Sequence, residues 1–103
     1  MVNSNIILKD YTYYKLVSLF RNIIPLEEKY RDEPNNNFFL NYKYNDYEFH
    51  FIKDRSFLEL EIFKAGNYIY AHEIDKSLID LKATKNNIDR LSSFLVEYMS
   101  KVN

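Results

Sequence analysis

The chain has no cysteine, one glycine, two prolines and three alanines in 103 residues. Without cysteine there can be no disulfide, no thiolate metal site and no thiol nucleophile, and the chain suits a reducing compartment. The single glycine, Gly66, cannot build a phosphate-cradling loop, and no Gly-rich or Walker-type motif is present. No apolar run approaches the length needed to span a bilayer. The opening residues, MVNSNIILKD, hold an apolar run of only three, too short for the hydrophobic region of a secretion signal. A soluble, cytoplasmic protein is therefore expected, with no membrane partner. An excess of one charge is missing too, since the formal net charge is −1. That argues against the basic stripe of a nucleic-acid binder, and equally against an acidic DNA mimic.

Hydrophobic residues make up 47% of the chain and charged residues 28%, an ordinary globular balance. The length suits one domain spanning residues 1–103. A domain of this size buries roughly 65% of its unfolded surface, enough for one core without metals or cross-links. Asn, Ile, Lys, Tyr and Phe are abundant, and their codons are A/T-rich. A low-GC bacterial cell, as owner or as host of a phage or mobile element, is the expected source.

Tyr13, Leu16, Val17, Phe20 and Ile24 recur at helical spacing, which predicts a helix over 10–24 with Asp10 as its N-cap. Pro25 ends it and can open a short second helix, PLEEKYR, before the loop DEPNNN. The stretch from Asn41 to Phe63 then alternates apolar and polar residues. A two-residue turn at Asn45-Asp46 sets Tyr42 opposite Phe49, Leu40 opposite Phe51, and Lys43 opposite Glu48. A second turn at Asp54-Arg55 sets Phe51 opposite Leu58 and Phe49 opposite Leu60. Both turns leave the same face apolar across three strands. A fourth strand, NYIYAHEI, follows a turn at Ala65-Gly66; an even loop sets Ile62 opposite Ile69 and Leu60 opposite Ala71, and a glycine bulge would slip it by one. Residues 76–83 read as either an edge strand or a helical turn. A last helix begins at Thr84 or Asn86, with Ile88, Leu91, Leu95, Tyr98, Met99 and Val102 on its apolar stripe and Phe94 beside it.

The fold expected is α+β: a two-layer sandwich in which a four-stranded antiparallel meander, or five-stranded if 76–83 adds an edge, carries the N- and C-terminal helices on one face. The opposite face should then show Phe39, Asn41, Lys43, Glu48, His50, Ile52, Phe57, Glu59, Glu61, Phe63, Tyr68, Tyr70, His72 and Ile74. Its apolar cluster of Phe39, Ile52, Phe57 and Ile74 needs a cover. The NIILK segment, the second helix, a second copy or a partner protein could each supply one.

Aromatic anchors in a polar surround resemble interface anatomy. The candidate partner-binding residues are Phe39, Lys43, Glu48, His50, Phe57, Glu59, Glu61, Tyr70 and His72. The expected function is non-enzymatic contact with another protein, as an inhibitor such as a phage anti-defence protein (an anti-CRISPR, for instance) or a toxin immunity protein, with no cofactor; a homodimer is the structural variant. The competing expectation is a metal-dependent enzyme. If His50, Glu59 and His72 stood side by side, two imidazoles and a carboxylate would match iron or zinc donor sets. A metal-free ladder, with Glu59 accepting from the imidazoles, accounts for the same row. HEID, from His72 to Asp75, lacks the second histidine of a zincin motif. The serines lie in no nucleophile-elbow context. The carboxylates between the aromatics would repel nucleic-acid phosphates.

Overall fold

The two hairpin turns at the centre of the chain organise the fold seen in the computed structural model, which describes residues 4–102. After helix α1 (Ser4–Leu19) come strands β1 (Ile24–Arg31), β2 (Asn37–Tyr44), β3 (Tyr47–Asp54), β4 (Phe57–Lys64) and β5 (Asn67–Tyr70). They form an antiparallel sheet in the order β1-β2-β3-β4-β5. A single helical turn α2 (Ala71–Ile74), a 3₁₀ turn (Lys76–Leu78), a two-residue strand β6 (Leu81–Lys82) and helix α3 (Lys85–Val102) follow. The two long helices pack on one face of the sheet, so the α+β two-layer arrangement predicted from patterning is the one found.

The β2-β3 hairpin has the expected register, with Tyr42 opposite Phe49, Leu40 opposite Phe51 and Lys43 opposite Glu48. The β4-β5 hairpin also follows the even loop, with Ile62 opposite Ile69. Both of its loop residues are left-handed, Ala65 at φ 52° and Gly66 at φ 83°, as a tight two-residue turn requires. The strand stops at Tyr70, so Leu60 and Ala71 are not a ladder pair. Between β3 and β4 the turn is one residue later than predicted: Arg55-Ser56, not Asp54-Arg55. Asp54 pairs with Phe57, and Phe51 moves to face Leu60 and Phe49 to face Ile62. The shift is two positions in pairing, so every side chain keeps its face. Its cause is tertiary: Arg55, at φ 58°, donates its amide to the Asn36 carbonyl at 3.0 Å, a contact between loops 19 residues apart in sequence.

Helix α1 differs most from expectation. It starts at Ser4, so Asp10 is not a cap but lies mid-helix, ion-paired with Lys9 at 3.0 Å. Its buried stripe is Asn5, Leu8, Thr12 and Leu16, continued by Phe20 just past its end. Of the predicted stripe, Tyr13 and Val17 are exposed, and Ile24 belongs to β1. Two of the buried positions are polar, which hid the stripe from an apolar pattern search. Thr12 satisfies its hydroxyl by donating to the Leu8 carbonyl at 2.7 Å, and the Asn5 amide donates to the Arg31 carbonyl at 3.0 Å.

The predicted second helix, PLEEKYR, is instead strand β1. It pairs with the free edge of β2 from Ile24 opposite Lys43 to Arg31 opposite Asn37, with an irregularity between Pro25 and Glu27. Glu27 is the only residue of β1 that is not exposed, so no alternation marks it as a strand. Proline without an amide is tolerated on such an edge. Residues 76–83 realise both expected alternatives in turn, the 3₁₀ turn and then β6 paired to Phe57 and Leu58.

Helix α3 is as read, with Thr84 Oγ1 accepting from the Asn87 amide at 3.2 Å at its start. Ile88, Leu91, Leu95 and Met99 are buried in the core, and Glu97 pairs with Lys101, four residues on, at 3.2 Å. Val102 is exposed rather than part of the stripe. Between the layers, Phe38, Leu40 and Tyr42 of β2, Phe49 and Phe51 of β3, and Leu58, Leu60 and Ile62 of β4 face the helices. Among the described residues, no helix is long and apolar enough to cross a membrane.

Candidate functional site

Residues that alternate with the core positions make up the outer face of the sheet. Neither intramolecular cover considered for it lies there: Asn5 to Lys9 belong to α1 in the helix layer, and residues 25–31 are a strand within the sheet. Phe57 and Tyr68 are exposed, and Phe39, Ile52, Phe63 and Tyr70 are partly so. The expected outer-face residues of β2 to β5 share this face.

Two residues do not. His72 leaves the sheet with the helical turn α2, and its ring stacks on Tyr70 with centroids 5.2 Å apart and planes 12° off parallel. Ile74 lies in the same turn and lines a cavity of about 340 Å³ with Phe94 and Tyr98 of α3, away from the predicted apolar cluster.

The register places one row straight across five strands: Glu27, Asn41, His50, Glu61 and Tyr70 are successive neighbours. His50 therefore faces Glu61, not Glu59, which is opposite Ile52. The His50-Glu59-His72 row is not formed, because the β3-β4 turn moved by one residue and the fourth strand ended early. Among the described residues no group of three histidine, cysteine, aspartate or glutamate side chains is arranged to hold a metal.

What forms is a hydrogen-bonded network about His50. Its Nδ1 lies 2.6 Å from Glu61 Oε1 and its Nε2 lies 3.3 Å from Glu48 Oε1, while Asn41 donates to the same Glu48 oxygen at 2.8 Å. Carboxylates only accept, so in each of these contacts it is the ring nitrogen that would donate. Phe39 and Phe63 flank the imidazole at 5.2 and 5.9 Å, the latter nearly parallel. Although the face is open, the His50 side chain is only 11% exposed and that of Glu61 16%. The network is thus held in one arrangement by its neighbours.

Hydrogen bonds from Asn41, then from His50, hold the Glu48 carboxyl below its ordinary value, and the charge of Lys43 opposite adds to this. Burial, then the charges of Glu61 and Glu59, push the Tyr70 phenol up. The Glu48 shift has a testable consequence. Its folded pKa is below the unfolded one, so as pH falls below about 4.5 the unfolded chain takes up the proton first. The stabilisation is present above that pH and is lost on acidification through the folded value. Glu48→Gln is expected to flatten the acid limb of stability against pH, as measured by urea unfolding between pH 3 and 6; an unchanged limb would count against the network.

Charge on the face is unevenly spread. Lys29, Arg31 and Lys43 lie on β1 and β2 beside one carboxylate, Glu27, which pairs with Lys29 at 2.7 Å, whereas Glu48, Asp54, Glu59 and Glu61 lie on β3 and β4, with the Lys82 ammonium of β6 over Phe57. Beyond the acidic half stand Tyr68 and Tyr70, with centroids 5.9 Å apart and rings at 83°. Sequence reasoning found the acidic residues and most of the aromatics but missed the His50-Glu61 pairing and the cations of β1, since β1 was read as helix. Comparison with protein-family models, curated proteins and solved structures finds no match.

Proposed function

We propose that this protein works without catalysis, by binding another protein through the outer face of its sheet. The observation that carries the reading is the His50 network framed by Phe39 and Phe63 on a face that nothing among the described residues covers. Interfaces concentrate aromatic anchors around polar groups whose geometry is already fixed, because a face ordered beforehand loses less entropy on association. The broad open face of the sheet suits a flat protein surface. Acting by occlusion, a chain of this size fits the role of an inhibitor, such as an anti-defence or toxin immunity protein of a low-GC bacterial or phage system.

Phe57 and Tyr68 are 44% and 61% exposed, so Phe57→Ser with Tyr68→Ser removes apolar surface from the face without touching the core. In pull-downs from a low-GC bacterial lysate, that variant is expected to lose a protein that the parent retains. A Val96→Ser control, on the exposed side of α3, should keep it. Capture that survives the sheet variant but fails with the helix control would move the binding surface to the helices.

A further inference from the structure

We infer that the β4-β5 half of the outer face receives an arginine side chain from the partner protein, stacked on Tyr68 and Tyr70 and held by Glu59 and Glu61. This rests on the protein-binding reading and specifies the partner's chemistry.

Three features select arginine. First, two aromatic rings stand at right angles 5.9 Å apart, and Tyr70 is backed by the parallel ring of His72. A flat guanidinium stacks on one such face while meeting the edge of the other, and tyrosine faces attract cations. Second, Glu59 and Glu61 lie two apart on β4, hence on one side of the sheet, and Glu61 is the direct cross-strand neighbour of Tyr70. The Glu61 side chain is tied to His50, whereas Glu59 is exposed and turned to solvent. Its carboxylate can take the bidentate pairing that a guanidinium offers and an ammonium does not. Third, the uneven charge of the face gives direction. A cationic side chain is drawn to the carboxylates of the β3-β4 half, which outnumber the Lys82 ammonium over Phe57, and repelled by Lys29, Arg31 and Lys43. Phosphates are refused at the same place, which leaves a basic protein segment rather than a nucleic acid as the occupant.

The test is an NMR titration of the isotope-labelled full chain with a synthetic peptide carrying four arginines separated by glycine and serine. Matching peptides with lysine or citrulline in place of arginine serve as controls. Shifts are expected at residues 59–61 and 68–72, with arginine binding more tightly than lysine and citrulline not binding. Glu59→Gln and Tyr68→Leu, both at exposed positions, should each weaken binding by about tenfold. Equal shifts with lysine and arginine, or shifts confined to other surfaces, would overturn the arginine assignment. So would a concentration-dependent dimer, seen by sedimentation equilibrium, that disappears with Arg31→Gln, since a second copy would then supply the cation. If the arginine peptide leaves residues 59–72 unmoved while the Phe57/Tyr68 variant still loses its captured protein, the arginine assignment falls and the protein-binding face stands.

Discussion

Phe49→Ala is expected to lower stability by about 3–5 kcal/mol, the usual range for emptying a buried aromatic site. Phe49 is fully buried on the inner face. It packs at 5.5 Å from Phe20, which follows α1, and at 6.1 Å from Tyr44 on β2. Removing the ring leaves a void between the layers that the sheet cannot collapse into without losing ladder hydrogen bonds. Against the roughly 5–15 kcal/mol that holds a small domain together, such a loss takes a large share of the margin. The comparison is Phe57→Ala on the outer face, where the ring is half exposed and the Lys82 ammonium lies 4.4 Å from its centroid. That change should cost no more than about 1 kcal/mol. Urea unfolding of both variants, with the m-value checked for constancy, measures the difference. Equal losses would mean that the outer face is packed against something in the free protein.

Lys53→Ala should be nearly as damaging, at about 2–3 kcal/mol, for the opposite chemical reason. Lys53 lies on the inner face of β3 and is 4% exposed. Its ammonium donates to Asn5 Oδ1 at 2.8 Å, to Asn36 Oδ1 at 2.7 Å and to the Asn36 carbonyl at 3.2 Å. Asn5 in turn donates to the Arg31 carbonyl. The first turn of α1, the end of β1, the loop before β2 and the end of β3 thus meet at one buried cation. Burial lowers the proton affinity of that amine, so three acceptors around it are the condition for keeping it charged inside. Truncating the lysine strands those acceptors. A double-mutant cycle with Asn5→Ala should show a coupling of about 0.5–3 kcal/mol. Additive losses would show that the two side chains do not share the junction.

Where a buried face alternates strictly with a polar one, the sequence was enough to read the structure. From β2 to β5 the side-chain face of every residue followed from period two alone, even where the β3-β4 turn was placed one residue early. A pairing shift of two positions leaves faces intact, so the core and the outer-face roster were readable while the cross-strand neighbours were not. That is why Glu61 rather than Glu59 meets His50. The same limit took His72 off the sheet: nothing in NYIYAHEI marks the place where strand becomes helical turn, and Ala71, almost fully buried in the core, sits at that boundary.

Helix α1 and strand β1 show the other kind of failure. Burial of Asn5 and Thr12 makes sense only once the Arg31 carbonyl, Lys53 and the Leu8 carbonyl are in place to satisfy them. Ile6, Ile7 and Val17 look like core residues in the sequence but face solvent. β1 is a strand because β2 presents it with an unpaired edge, and its own residues carry no preference strong enough to show this. By itself, then, the sequence determined the α+β class, the sheet's inner and outer faces and the last helix, because a hydrophobic period is a local property. Only the tertiary structure decided the β1 pairing, the polar stripe of α1 and the partners of His50. The β1 pairing, the burial of Asn5 and the His50–Glu61 contact each depend on a hydrogen-bonding group supplied by another element of the chain.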